Sequence, residues 1–199
     1  MGIAIKLQGS IAIILSVFFF NYAQAADSEA SYAIKGAGSV SCERYSAAVK
    51  SGSNEYIAFS GWIDGYVTAF NQYEPETFDI APWQSTLLLT EALNRHCKKN
   101  PEARFFTTFT NMVRALYAQR LKERTAVVKI RSNNGALLMY TGVIMLVQAS
   151  LNANNGSNLK VDGVFGEGSE KELRRFQSEK KLTVTGLPDQ VTLQLLLRK

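Results

Sequence analysis

Hydrophobic residues recur at intervals of three and four along FSGWIDGYVTAF, residues 59–70. This spacing places the large apolar side chains in one stripe of an amphipathic helix. Gly61 and Gly65 fall on another face, where the lack of side chains would admit a second helix closely. We expect the stripe to pack into a core, and a ligand platform built on Trp62 and Tyr66 is the alternative.

The rest of the first half is also predicted to be helical. Residues 82–97 carry apolar positions suited to a second helix. Asn100 and Pro101 are typical of a helix start, with asparagine as the cap and proline at the first helical position. From Phe105 onwards, apolar residues follow at helical spacing. We therefore expect helices throughout residues 36–125.

A polar break at SNNG, residues 132–135, separates the two halves of the chain. The following residues 136–151 are largely apolar, and no charged residue occurs between positions 132 and 159. Thr141 and Gly142 interrupt this run, which is also too short to span a bilayer. We therefore expect a buried helix here rather than a membrane span.

The tail contains one pattern twice. VDGVFGEGSEKELRRFQ occupies residues 161–177, and a fainter copy, VTGLPDQVTLQLL, occupies residues 184–196. In each copy a glycine suited to positive φ is followed by a hydroxyl residue that can cap a helix, and then by an apolar residue one turn later. Ser169 and Glu172 also fit a capping box. The matching positions are Gly163 with Gly186, Ser169 with Thr192, and Leu173 with Leu196.

This tail resembles the small peptidoglycan-binding domain that occurs on many bacterial cell-wall hydrolases, and the likeness runs from about Tyr140 to the C-terminus. Two positions depart from the family pattern, because Ser169 stands where threonine is usual and Glu172 where a small residue is usual. The resemblance implies a three-helix domain that holds the cell wall. Its matching segments are Val147-Gln148, Leu151-Asn152, Val161-Asp162-Gly163, Phe165-Gly166, Leu173, Phe176-Gln177, Leu182, Gly186, Asp189, Thr192 and Leu196.

The resemblance also suggests which residues would contact peptidoglycan. Polar groups exposed at the first turn are candidates, as are cations suited to the carboxylates of the stem peptides. Ordinary roles are the alternative, with Phe165 in the core and with Arg174 and Arg175 on a solvated face. The candidate binding residues are Asp162, Phe165, Arg174, Arg175, Gln177 and Lys180.

The first residues of the chain are typical of a secretory signal peptide. A lysine precedes the apolar run IAIILSVFFF, residues 11–20, and Ala23 and Ala25 are the small residues that cleavage after Ala25 requires. We expect residues 1–25 to be removed on export to the periplasm, leaving no membrane span. An uncleaved membrane anchor is the alternative.

Net charge suggests an anionic partner without choosing one. The formal charge is +5, of which Lys6 contributes one. A modestly basic exported protein suits cell wall, an outer-membrane surface or nucleic acid. The basic run within residues 114–131 lacks the aromatic interleaving typical of base stacking, so nucleic-acid binding is not expected.

Two cysteines, Cys42 and Cys97, remain after export. An even number usually pairs in an oxidising compartment, so we expect a structural disulfide, and a reactive thiol beside His96 is the alternative. The first half also resembles, more weakly, small exported helical domains such as periplasmic acid-stress chaperones and secreted immunity proteins. The positions that carry this likeness are Cys42, Gly61-Trp62, Gly65-Tyr66, Asn71, Cys97 and Asn100-Pro101.

The residue types give little support for catalysis. His96 is the single histidine, so neither a zinc site of the amidase type nor a Ser–His hydrolase is expected. A glycosidase needs only carboxylates, which leaves that class open. We expect no metal and no cofactor. The available carboxylates of the first half are Glu55, Asp64, Glu74, Glu76, Asp79 and Glu91.

These observations predict an all-α protein with two small domains, a disulfide-linked helical domain at residues 26–131 and a three-helix peptidoglycan-binding domain at residues 132–199. We expect a non-catalytic periplasmic protein that holds peptidoglycan with the second domain. The first would serve as a scaffold or bind an envelope protein. A stress chaperone or immunity-type inhibitor localised to the wall is the alternative, and a carboxylate-based cell-wall hydrolase is another.

Overall fold

The computed structural model describes residues 27, 29 and 31–197 of the chain. The predicted signal peptide, residues 1–25, lies outside the described residues. Contacts between Cα atoms divide the chain into a short unit that ends at Ala33 and a compact unit that begins at Ile34. All the elements named below belong to the second unit.

The described part of the second unit contains seven α-helices and one antiparallel pair of strands. In chain order they are α1 (Cys42–Ser51), α2 (Asn54–Tyr73), α3 (Thr86–Cys97), α4 (Phe105–Ala115), β1 (Val127–Ser132), β2 (Gly135–Tyr140), α5 (Thr141–Asn155), α6 (Glu167–Glu179) and α7 (Gln190–Leu196).

Helices α1 to α4 enclose the first core. Tyr45, Phe59 and Phe105 are fully buried there, with ring centroids 4.9–5.0 Å apart. A disulfide joins Cys42, at the start of α1, to Cys97, at the end of α3. The predicted disulfide is therefore confirmed.

The predicted helices of the first half exist, but two of their starts were misplaced. Helix α3 begins at Thr86 because the side chain of Ser85 accepts a hydrogen bond from the amide of Leu88 and caps it. The Asn100 side chain instead donates to the carbonyl of His96, where α3 ends, and α4 begins only at Phe105.

The expectation that Gly61 and Gly65 receive another helix is wrong for the described part of the chain. Both glycines lie on the exposed face of α2, and no described atom lies within 4 Å of a Cβ built on either one. The apolar stripe of the same helix packs into the first core, as expected, with Phe59 and Ile63 fully buried.

The predicted all-α class is confirmed only in part: the described chain is mostly helical, but it also forms a β-hairpin that contributes to a second core. Strands β1 and β2 pair in register from Val127 with Tyr140 to Ser132 with Gly135. The apolar run that we expected to be one buried helix is a strand up to Tyr140 and a helix from Thr141. SNNG is therefore the turn of a hairpin.

The hairpin, α5, α6 and α7 surround a second core. Its fully buried members include Val143, Ile144, Val147, Leu151 and Leu173. The boundary predicted between residues 131 and 132 falls at the last residue of β1, so a cut there would separate one strand of the hairpin from its partner. The division into two domains itself stays a prediction.

The segment between α2 and α3 touches both cores. Phe78 and Trp83 pack against the second core, and the ring of Phe78 meets the ring of Tyr140 at a centroid distance of 5.7 Å. From α7, the amide nitrogen of Gln190 donates to the carbonyl of Trp83, and its oxygen accepts from the amide and hydroxyl of Ser85 at 3.0 and 3.1 Å.

Within residues 27, 29 and 31–197, no helix has both the length and the apolar character needed to cross a bilayer.

Candidate functional site

Gln148, a buried residue of α5, holds the first repeated turn. Its side-chain oxygen accepts hydrogen bonds from the amides of Asp162 and Gly163, at 3.1 and 3.0 Å. Its side-chain nitrogen donates to the carbonyl of Val164 at 3.0 Å and to the hydroxyl of Ser169 at 3.3 Å. One amide side chain thus binds the backbone of the turn on its inner side, where Gly163 is buried and an unpartnered amide would be costly.

Gln177, a fully buried residue of α6, holds the second turn in the same way. Its side-chain oxygen accepts from the amide of Gly186 at 2.9 Å. Its nitrogen lies 3.0 Å from the carbonyl of Leu187 and from the hydroxyls of Thr185 and Thr192. The doubled sequence pattern is therefore one structural device used twice: a glycine turn whose backbone is bound by a glutamine of the preceding helix.

The hydroxyl residues of the pattern do not cap their helices as we predicted. Helix α6 begins at Glu167, so Ser169 lies inside it, buried and bonded to Gln148. Asp189 caps α7 by accepting from the amide of Thr192 at 2.8 Å. Both hydroxyls face the glutamines because their helices start earlier than the spacing suggested.

The predicted capping box is also wrong. Glu172 has its carboxylate 2.6 Å from the guanidinium of Arg175, and it accepts from the hydroxyl of Ser157 at 2.7 Å. A residue in the second turn of α6 cannot reach back to the helix start.

The turn glycines are required by the backbone. Gly163 has φ of 76° and Gly186 has φ of 69°, a region in which side chains are disfavoured. A Cβ at Gly163 would lie 3.0 Å from the carbonyl oxygen of Thr141, and one at Gly186 would lie 2.6 Å from the Nε of Arg174. The first contact is the harder to relieve, because it involves backbone.

We expect Gly163→Ala to lower the free energy of unfolding by about 2 kcal/mol, since alanine is strained at positive φ and contacts Thr141. Gly61→Ala, in an open helical position, should raise it by up to about 1 kcal/mol. Urea unfolding followed by circular dichroism measures both changes. Equal effects of the two substitutions would contradict the assigned turn.

The first two predicted binding residues lie at the first turn. Asp162 accepts hydrogen bonds from the amide of Val164 and from the side chain of Gln148, and these bonds hold the pKa of its carboxyl below the usual range. Its carboxylate is therefore a structural part of the turn. Phe165 is half-buried and packs against the second core.

The two arginines are already paired. Arg174 donates to the carboxylate of Glu170 at 2.8 and 2.9 Å and to the carbonyl of Val184 at 3.2 Å. Arg175 pairs with Glu172. Both guanidinium groups would have to give up an ion pair before binding a stem-peptide carboxylate.

The last two candidates are arranged differently from each other. Gln177 is fully buried and its amide is occupied, so the structure removes it from any surface that could contact a polymer. Lys180 is exposed, with its ammonium 5.8 Å from the centre of the Phe176 ring. The binding role of the five residues other than Gln177 stays a prediction.

Sequence reasoning missed the structural role of Gln148 and Gln177. A glutamine on an amphipathic helix usually faces solvent, so nothing in its own position indicates burial. Each lies on the helix before a repeated glycine turn, and that shared placement is the pattern that could have identified them. Within residues 27, 29 and 31–197, no group of three or more His, Cys, Asp or Glu side chains is placed to hold a metal ion.

Helices α5 to α7 and their two glutamine-held turns define a small helical module with a duplicated turn. Residues 142–196 match the sequence model of the peptidoglycan binding domain family. This match confirms that the tail resembles the peptidoglycan-binding domain. It supports binding to the cell wall, with peptidoglycan as the partner. Neither a curated protein nor a solved structure matches the chain significantly. The weaker likeness of the first half stays a prediction.

Proposed function

We propose that this protein is exported to the periplasm and holds peptidoglycan through residues 142–196 without cleaving it. The bundle of α1 to α4 serves as a scaffold or as a module that binds an envelope protein. The match to the peptidoglycan-binding family is the observation that carries the proposal. The glutamine bonds support it, because they hold both turns of the matched segment against its helices.

Most candidate carboxylates of the first half already bind other groups of the protein, which supports a non-catalytic role. Burial raises the pKa of the Asp79 carboxyl, as a general acid requires, but its carboxylate accepts from the amide of Ala81 at 3.0 Å and so shapes its own loop. Most of the other candidates also have partners. These contacts are Glu55 with Arg44, Asp64 with Thr86, Glu74 with Tyr117, and Glu76 with Lys122.

A surface groove supports the partner-binding role of the bundle. It lies between α3 and α4 and has a volume of about 700 Å³. His96 and Arg104 line it together with apolar and uncharged polar residues, and no acidic residue is among its lining residues, all of which the structure describes. Such a groove favours a partner segment with an acidic and apolar surface.

Co-sedimentation with purified sacculi tests wall binding. We expect the mature full-length protein to pellet in about 0.5 M salt, where long-range attraction between charges is screened. A chain that ends at Arg124 keeps the first core and the disulfide but lacks the hairpin and the module. It should remain in the supernatant, and equal pelleting of both chains would overturn the proposal.

Peptidoglycan zymography tests the non-catalytic half of the proposal. We expect no clearing by the full-length protein. A clearing band that is present in the wild type and lost in Asp79→Asn would instead establish a carboxylate-based hydrolase. Protection of a client protein from aggregation at low pH, with no sedimentation on sacculi, would favour the chaperone alternative.

A further inference from the structure

A groove of about 540 Å³ lies where the family-matched module meets the rest of the chain. Three segments form its walls: the loop before α3, the β-hairpin and the second repeated turn with the start of α7. The lining residues are Pro82, Trp83, Gln84, Ser85, Val127, Leu137, Leu138, Met139, Tyr140, Pro188, Asp189 and Gln190. This volume is within the range of pockets that bind small molecules or short polymer segments.

The aromatic walls of this groove are held in place. The indole nitrogen of Trp83 donates to the side-chain oxygen of Gln119 at 3.2 Å, and its carbonyl accepts from Gln190. The rings of Tyr140 and Phe78 are nearly perpendicular, with their centroids 5.7 Å apart. A ligand would therefore meet a preorganised surface, which lowers the entropy lost on binding.

The groove carries one formal charge, and it is negative. Asp189 is the single acid among the lining residues, and no Lys, Arg or His is among them. Both oxygens of its carboxylate are occupied, one by the amide of Thr192 at 2.8 Å and the other by the hydroxyl of Thr185 at 3.1 Å. An anionic ligand would lose its hydration here, gain no counter-ion and be repelled by Asp189, so a neutral ligand is favoured over an anionic one.

The exposed surface of the groove is apolar and aromatic, with a few amide groups. Leu138 is 71% exposed and Val127 is 54% exposed, both beside Tyr140 on the hairpin. The amide nitrogen of Gln84 is buried without a hydrogen-bond partner in the described part of the chain. Because this nitrogen has less than 1 Å² of accessible surface, the surface that a ligand would contact is formed by the apolar and aromatic side chains.

We infer that this groove binds the glycan strand of peptidoglycan. The strand presents pyranose rings with apolar C–H faces, which suit Trp83 and Tyr140, and acetamido groups, which are neutral and need no counter-ion. The stem peptide carries carboxylates, which this groove does not match. The inference rests on the proposed function, since it assigns the glycan part of the polymer to a specific surface of the same protein.

Calorimetric titration of the full-length protein with chitotetraose tests this assignment. Chitotetraose is a neutral chain of N-acetylglucosamine without any peptide, so it represents the glycan alone. We expect saturable binding, and Leu138→Asp should weaken it by about tenfold or more, because its carboxylate would be desolvated against a sugar ring. Val191→Asp adds the same charge at an exposed position of α7 outside the lining and should leave the affinity unchanged.

Fluorescence gives an independent measurement at the site. The chain has two tryptophans, so Trp62→Phe leaves Trp83 as the reporter. We expect its emission to change with chitotetraose and to show no response to a free stem peptide.

Three outcomes would overturn the glycan assignment. The first is an absence of chitotetraose binding while sacculi still pellet the protein, which would leave the proposed function standing. The second is a response to the stem peptide with none to chitotetraose. The third is equal weakening by Leu138→Asp and Val191→Asp. If neither sacculi nor chitotetraose bind, the proposed function fails as well.

Discussion

Replacing both cysteines, as Cys42→Ala with Cys97→Ala, is expected to lower the free energy of unfolding of the bundle by about 4 kcal/mol. The disulfide spans 55 positions, and its loss restores that loop's conformational freedom to the unfolded chain. Trp62, whose ring meets those of Phe105 and Phe109, reports on this core. Urea unfolding of a Trp83→Phe protein, followed by the fluorescence of Trp62, measures the loss.

Single replacements separate the cross-link from the packing of the sulfur atoms. Cys97→Ala alone should be as destabilising as the double replacement, because either one removes the cross-link. Addition of a reductant to the parent protein should reproduce most of the effect. A double variant within about 1 kcal/mol of its parent would contradict a stabilising role for the disulfide.

Gln177→Leu is expected to destabilise the wall-binding module by about 3 kcal/mol or more. Leucine has a similar size but leaves the buried amide of Gly186 without a partner, at about 1–3 kcal/mol, and it removes the donor to the buried hydroxyl of Thr192, at about 1 kcal/mol. Native-state hydrogen exchange at the amide of Leu193, which bonds to Asp189 within α7, measures the local loss. Leu93, in the first core, provides an internal reference.

Two further substitutions make the interpretation of Gln177→Leu specific. Ser178→Ala changes the exposed neighbour on the same helix and should leave the exchange of Leu193 unchanged. Gln148→Leu should destabilise the module by a similar amount, because Gln148 forms the equivalent bonds to the first turn. Unaltered protection of Leu193 in Gln177→Leu would show that the glutamine does not stabilise the turn.

The features that follow from local spacing were predictable. The stripe from Phe59 to Phe70 lies within α2, since three- and four-residue intervals dictate one helical face. The glycines of the tail indicated turns because positive φ favours that residue. The disulfide followed from two cysteines and an expected oxidising compartment.

The hairpin was missed because its second strand has no polar alternation. GALLMY reads as the start of the apolar run that continues into α5. The alternation was present in β1, where Lys129 and Arg131 are exposed while Ile130 is buried, and Asn133 and Asn134 form the connecting turn. The groove escaped prediction because Trp83, Leu138 and Gln190 come together only through tertiary folding.

The position of the Cys42–Cys97 bond has a consequence for proteolysis of the protein. The segment between α2 and α3 lies inside the loop that this bond closes. A single peptide-bond cleavage there would yield two polypeptides that are still covalently joined through sulfur. A molecule cleaved at this segment would therefore keep α1 and α2 attached to the part of the chain that is expected to bind murein.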